Sequence, residues 1–419
     1  MNVIPLRSLS LILSLVFTSS ACADMRITKA SKVGFSAERL KRIQPVMQQY
    51  VEQKKLAGTL TLVARKGKVV HLHATGSRDI AANLPMSEDT LFRIYSMSKP
   101  VTAVAALTLW EQGRFHMDEP ISKYLPELKD LKVYVSGEGE DAVFEKAKTP
   151  IKIIDLFLHT AGFSYGFTQS EVDKRYQQSP MFSGQVKRKD LLSEVAKLPL
   201  AHQPGTAWNY GISTDIIGFL VEKLSGQTLG EYMAQHIFEP LNMDDTGFYV
   251  PANKLERLMQ VYTLNQQGQT IPMQNVPLGD FTSEPEFQSG GGGLVSTMKD
   301  YFTFAQMLLN EGEYDSKRIL SRKTVEYMRS NHLPASMIPF SPTSPGEGYA
   351  LAMTVTVDPG QSNFMGSKGV YGWAGLASTY FRIDPKEKMI LISMTQFMPS
   401  SYYRYHHDFH NLVYQALEE

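Results

Sequence analysis

The spacing of apolar residues changes character along the chain. Behind Ser36, the apolar residues Leu40, Ile43, Met47, Tyr50 and Val51 fall at helical intervals, and Ser36 can cap the helix they predict. Thr59 to Ala64 and Val69 to His73 then read as extended runs, and Arg65-Lys66-Gly67-Lys68 between them is hairpin chemistry. From Val101 to Trp110 the chain is almost continuously apolar and rich in Ala, with Gly113 beyond it. That pattern predicts a buried helix too short to cross a bilayer. Residues 115–345 alternate amphipathic helical stretches with polar loops, and Gly290 to Gly293 mark a flexible or tightly turned segment. Extended patterns return late, over Ala350 to Val357, Trp373 to Ile383 and Met389 to Thr395. An Asp384-Pro385-Lys386-Glu387 turn joins the last two, and Tyr402 to Leu417 reads as a final helix.

Strands at both ends and helices in the middle predict a mixed α/β (α+β) fold. One antiparallel sheet is built from both chain ends and flanked by helices, with a mainly helical lobe inserted in it. The sheet lobe is placed at 24–95 plus 346–419, and the helical lobe at 96–345. A chain of 419 residues, 43% hydrophobic, can bury a large core. Its 42 basic and 42 acidic residues argue against a nucleic-acid-binding surface and against an acidic tail. The single cysteine, Cys22, excludes a disulfide scaffold, a thiolate zinc site and an iron–sulfur centre.

Cys22 lies in a segment with the form of an export signal: Arg7, the mostly apolar run Leu9 to Phe17, and Ala21-Cys22-Ala23 as a small-residue cleavage site. The expectation is removal of residues 1–23 and a periplasmic or secreted protein, without an integral membrane span because that run is too short. The alternative, a lipoprotein acylated at Cys22, calls for an apolar residue three positions earlier, where Ser19 stands. Cleavage leaves no cysteine, so the chemistry would rest on a hydroxyl.

Ser96-Met97-Ser98-Lys99, just before the buried helix, is an S-x-x-K match. Residues three apart share a helical face, so the Lys amine can lie against the Ser hydroxyl and take its proton. The helix N-terminus adds N–H groups and a positive dipole end suited to an oxyanion. A chain of this length contains about one or two such matches by chance, and the bland alternative is a capping Ser followed by a solvated Lys. Ser296-Thr297-Met298-Lys299 is the second match. There Thr297 and Asp300 form a capping pattern ahead of a helix that alternates polar and apolar residues like a surface helix. Gly162-Phe163-Ser164-Tyr165-Gly166 matches G-x-S-x-G, and Ile151 to His159 could supply the strand before a nucleophile elbow. The following segment, residues 167–174, is too polar to be the helix such an elbow needs. His71 and His73, and His406 and His410, share faces but lack a third ligand in a metal-binding spacing. Trp208-Asn209-Tyr210 stands at a loop-to-helix junction, where a Tyr is either packing or a proton relay.

The stretch Leu91 to Pro100 and the helix after it resemble the serine β-lactamase and penicillin-binding-protein superfamily, nearest to class C β-lactamases and family VIII carboxylesterases. Residues 153–162, 204–218, 290–300 and 371–385 match in the expected order. The resemblance implies that Ser96 is the acylated nucleophile, Lys99 its activating partner and Tyr210 the Tyr of a Y-x-N element. It implies that the N–H groups of Ser96 and Leu376 hold the oxyanion, and that no cofactor or metal takes part. Two departures stand out. Tyr210-Gly211-Ile212 lacks the Asn, with Ser213 a residue later, and the strand expected to carry K-T-G reads Trp373-Ala374-Gly375. A W-x-G element of this type belongs to family VIII carboxylesterases, so the resemblance favours a small-molecule ester as substrate. A β-lactamase or D-Ala-D-Ala-type peptidase is the alternative, and a non-catalytic binding protein of the same fold is the third. The oligomeric state is not legible.

Overall fold

The computed structural model describes residues 25–341 and 344–419. The export segment and Cys22 lie outside the described residues. Eight strands form one antiparallel sheet: β1 (Gly58–Arg65), β2 (Lys68–Asp79), β3 (Leu84–Pro85), β4 (Glu347–Ala350), β5 (Met353–Thr356), β6 (Tyr371–Ala374), β7 (Tyr380–Asp384) and β8 (Met389–Met394). Their spatial order is β4-β5-β6-β7-β8-β1-β2-β3. The two chain ends meet where β1 pairs with β8, Leu60 opposite Met394 and Arg65 opposite Met389. Both strands are buried along their whole length, which is why they read as unbroken apolar runs.

Five helices frame the sheet and the site: α1 (Ile43–Glu52), α2 (Ser98–Glu111), α3 (Ser213–Ser225), α4 (Met298–Leu309) and α5 (Tyr405–Tyr414). On β7, Tyr380 stacks on His406 of α5 at 4.7 Å while its neighbour Phe381 meets Tyr301 of α4 edge-on at 5.1 Å. Successive strand residues point to opposite faces, so α5 and α4 cover opposite sides of the sheet. Helix α1 packs with α5, and α2 packs on α3 in the helical region between the two sets of strands.

Several local expectations are corrected. Trp373 to Ile383 is two strands rather than one, interrupted by a turn over residues 375–379. Ala350 to Val357 belongs to a hairpin, β4 and β5, which folds back at Ala352 with φ 62°. Ser36 caps only a short helix, Ala37–Leu40, and α1 begins after it. Ile151 to His159 contains a helix, Ile153–Phe157, so no strand precedes Ser164. Helix α4 is buried instead of superficial. Several of its polar side chains find partners, Thr303 Oγ1 donating to Lys299 O at 3.1 Å, Gln306 Nε2 to Asn310 Oδ1 at 2.8 Å and Tyr301 OH to Met97 O at 2.9 Å, which lets them pack inward. Among the described residues no helix is long and apolar enough to cross a membrane.

Candidate active site

A two-stranded ribbon outside the main sheet sets up the site. Leu91–Arg93 pairs antiparallel with Val295–Thr297, Phe92 opposite Ser296. After Arg93 the chain swings through Tyr95, held at φ 42°, into a single 3₁₀ turn, Tyr95–Met97, that runs straight into α2. A bulky residue in the left-handed region is strained, and here the strain reverses the chain beside Ser96. Ser96 is half-buried between buried Tyr95 and Met97. Helix α2 starts without a side-chain cap, so Ser96 does not act as the capping Ser of the bland alternative.

Lys99, one turn on, is fully buried. Its Nζ lies 3.4 Å from Ser96 Oγ and donates to Gly291 O at 2.7 Å and to the Tyr165 phenol at 3.0 Å. The Tyr210 hydroxyl donates to Ser96 Oγ at 2.7 Å, and the Trp373 indole N–H reaches the Tyr210 oxygen at 3.3 Å. Lys99 Nζ also sits 4.7 Å from the centre of the Tyr210 ring, on its face. The structure therefore brings Ser96, Lys99, Tyr210 and Trp373 together in one hydrogen-bonded cluster.

Behind Lys99 lies a group that sequence reasoning missed. The Tyr165 hydroxyl donates to Asp215 Oδ2 at 3.0 Å, and Asp215 Oδ1 accepts from Ser289 Oγ at 2.5 Å and from Gly291 N at 3.0 Å. Burial pushes the Asp215 carboxyl above the usual carboxylate range, opposed by the Lys99 ammonium and by these hydrogen bonds. Burial, and then the neighbouring Asp215 charge, push the Tyr165 phenol well up. A Cβ on Gly291 would fall 2.2 Å from the Tyr165 hydroxyl and 2.5 Å from Asp215, so this position of the four-glycine run admits only glycine. The run is a buried, tight turn, not a flexible link. Asp215 could be read from the sequence only as an acid in the first turn of α3. Tyr165 was hidden inside the G-x-S-x-G match that drew attention to Ser164.

Tyr210 has its own support. The His159 ring lies 4.9 Å from the Tyr210 ring, and His159 Nδ1 accepts from Gly211 N at 3.3 Å. Burial, helped by the Lys99 charge, pushes the His159 imidazole well below its ordinary pKa, so it stays neutral.

The turn that splits β6 from β7 closes the site from the sheet side. Gly375 N donates to Thr379 O at 2.7 Å, and Thr379 Oγ1 donates to Ile94 O at 3.2 Å, two residues before Ser96. A Cβ on Gly375 would lie 2.2 Å from Thr379 Oγ1 and 2.5 Å from Ile94 O. Only glycine lets the turn approach so closely. Ser96, Trp373, Gly375 and Leu376 all line one cavity of about 890 Å³, whose wall also includes Tyr165, Tyr210 and Trp208.

The other candidates lie elsewhere. Ser164 is buried, with its Oγ bonded to Asp173. Ser296 is buried within its strand against Thr246 Oγ1 at 2.8 Å. Ser213, which stood near the place of the missing Asn, is buried at the start of α3, does not line the cavity, and its Oγ has no partner. His410 spends both ring nitrogens on Tyr380 and Met365 O, His406 meets Ser378 O, and His71 meets Thr61. Among the described residues no His, Cys, Asp and Glu group has a metal-binding arrangement.

Comparison with known proteins identifies the family. The Beta-lactamase family model matches residues 43–415. Protein Rv1367c of Mycobacterium tuberculosis is 35% identical over 353 residues, covering 82% of this chain and 86% of that protein. Esterase EstB of Burkholderia gladioli is 26% identical over 365 residues, with the same shares covered. Among solved structures, EstCE1, described as a hydrolase with promiscuous acyltransferase activity, superposes with a TM-score of 0.77 at 24% identity, covering 90% of this chain and 99% of that one. The chain belongs to the Beta-lactamase family, and its relatives include proteins named as an esterase and as a putative D-alanyl-D-alanine carboxypeptidase.

Proposed function

We propose that this member of the β-lactamase family is a carboxylesterase that acylates Ser96. The observation that carries the reading is the Tyr210 hydroxyl, poised 2.7 Å from Ser96 Oγ and backed by the Trp373 indole at 3.3 Å. Where the resemblance leads one to expect a cation for an anionic amide substrate, an aromatic ring stands instead. It offers a flat apolar wall to an uncharged acyl or alcohol group.

In the first step Ser96 Oγ bonds to the ester carbonyl carbon while its proton passes to the Lys99–Tyr210 pair, which enters the step one proton short, as amine and phenol or as ammonium and phenolate. The carbonyl oxygen becomes an oxyanion held by the N–H groups of Ser96 and Leu376, each worth about 3–4 kcal/mol by comparison with other hydrolases. Gly375 N is already spent on Thr379 O, which leaves the next residue of the turn to point its N–H at substrate. Collapse breaks the bond to the alcohol oxygen, which takes the proton from Tyr210. Water then attacks the acyl carbon, gives up its proton by the same route and frees the acid, and Ser96 Oγ recovers its proton. The hydrogen bonds from Lys99 to Tyr165 and on to Asp215 position the amine throughout.

The test pairs a short acyl p-nitrophenyl ester with a chromogenic cephalosporin and a fluorophosphonate probe. The reading predicts ester turnover that disappears in Ser96→Ala, and a phosphonyl adduct on Ser96 by mass. Faster hydrolysis of the cephalosporin would favour the β-lactamase alternative. Absence of both turnover and adduct would favour a binding protein of the same fold.

A further inference from the structure

The cavity in front of Ser96 is not uniformly apolar. Much of its wall is aromatic, including Phe167, Trp208, Tyr210, Phe340 and Trp373. Another part of the wall carries Arg382 and Glu347, the two acidic or basic residues among the described lining. The sheet explains how they reach it. Thr354 on β5, Gly372 on β6 and Arg382 on β7 stand side by side in register. Side chains of directly paired residues share a face, and Thr354 and Arg382, on either side of Gly372, both line the cavity.

Arg382 is only 8% exposed, yet its Nη1 is buried without a hydrogen-bond partner. The nearest carboxylate oxygen, Glu347 Oε2, is 3.8 Å from Nη2, too long for a hydrogen bond. Glu347 is itself buried. The guanidinium is fixed in place over the rings of Tyr380 at 5.2 Å and Phe364 at 5.8 Å. A buried donor left bare is costly, and buried charges are tolerated when a further group completes their hydrogen bonds. Here an incompletely satisfied guanidinium and a carboxylate acceptor stand next to each other, and both residues line the cavity. A carboxylate end on a ligand would satisfy Arg382 but face Glu347, and an ammonium would meet the opposite conflict. A methyl end would leave Nη1 unpaired. The complementary group is neutral and both accepts and donates.

We propose that Arg382 and Glu347 form a polar subsite for a hydroxyl or carboxamide carried by the ester substrate, its oxygen accepting from Arg382 and its O–H or N–H donating to Glu347. This rests on the esterase reading and narrows it to esters with a neutral hydrogen-bonding end. The experiment compares two series of esters of graded length, one varied at the far end of the acyl chain and the other at the far end of the alcohol. Each series ends in methyl, hydroxymethyl, carboxamide or carboxylate.

In at least one series, the hydroxyl- or amide-ended ester should exceed its methyl-ended counterpart in kcat/KM by about 10-fold or more, with the carboxylate-ended ester no better than methyl. Arg382→Met should bring that ratio close to one. Glu347→Gln, which keeps the shape and removes the negative charge, should raise the carboxylate-ended ester about 10-fold relative to the methyl-ended one. Each ratio is taken within a single variant, so a general loss of activity does not obscure it, and Glu347→Gln still decides if Arg382→Met does not fold. Equal or better turnover of the methyl-ended ester in both series overturns the subsite. So does a carboxylate preference in the unmodified protein, or a polar preference untouched by both substitutions. Failure of every ester together with no phosphonyl adduct on Ser96 overturns the esterase reading itself, a result distinct from turnover without polar preference.

Discussion

The chain contains two S-x-x-K segments, and the strands that lead into them pair with each other, Phe92 opposite Ser296. Each strand leads into a long buried helix, α2 or α4. The spacing is identical and the surroundings are similar, but the hydroxyls end in different places. In the first segment the left-handed Tyr95 and a 3₁₀ turn come between strand and helix, so Ser96 joins the helical turn that carries Lys99 and faces the cavity. In the second there is no intervening turn. Ser296 is still in the strand, buried against Thr246, and Thr297 caps α4 by accepting from Asp300 N at 3.2 Å. One segment leaves its helix start uncapped beside a cavity, and the other closes it. The spacing is necessary for the chemistry, and the strained turn makes it usable.

The largest effect expected from this contrast is on turnover. Ser96→Ala should lower kcat/KM for a short ester by at least about 10⁴-fold, whereas Ser296→Ala and Ser164→Ala should each leave it within about 3-fold. A comparable loss at Ser296 would make the two segments equivalent and remove the role of the turn. Next comes Gly375→Ala, which drives a methyl group into Ile94 O at the entrance to that turn. Displacing the sheet-side wall from Ser96 should cost about 10²-fold in kcat with a smaller change in KM.

Tyr165→Phe isolates the buried support that Lys99 possesses. It should lower kcat by about 10-fold, and it carries a signature in the pH profile. The phenol's hydrogen bond favours the Asp215 carboxylate, so its loss raises the Asp215 pKa further. The carboxylate is then protonated at higher pH, and the acid limb of kcat should move upward. An unmoved limb would reduce Tyr165 to packing. Smallest of all, Thr297→Ala should cost about 1 kcal/mol of stability in urea unfolding through the lost cap, with the proposed ester turnover preserved.

The sequence disclosed most where one interaction dominates. The β1–β2 hairpin, the Ala-rich α2 and the apolar β8 were legible because their residues are buried together and the pattern repeats. Ser96, Lys99 and Tyr210 were legible through motif and order. Residues 375–379 were not, because the extended signals of Trp373 and of Tyr380 to Ile383 flank them closely, and the turn is held by a tertiary contact with Ile94. Asp215 and Tyr165 were missed for a similar reason. An acid at a helix start and a Tyr between glycines are ordinary locally, and their meaning arises only when Lys99 is brought between them.

The pairing of β1 with β8 also imposes an order in time. Ser96 and Lys99 are made well before Trp373, Leu376 and the strand that seats β1. A nascent chain therefore carries the attacking hydroxyl long before it carries the wall and N–H that would stabilise an attacked ester. Such distant strand pairing also slows folding, since a long loop must close before the contacts reward it. The late strands thus set a delay: the proposed site is assembled only after β6 to β8 have been made.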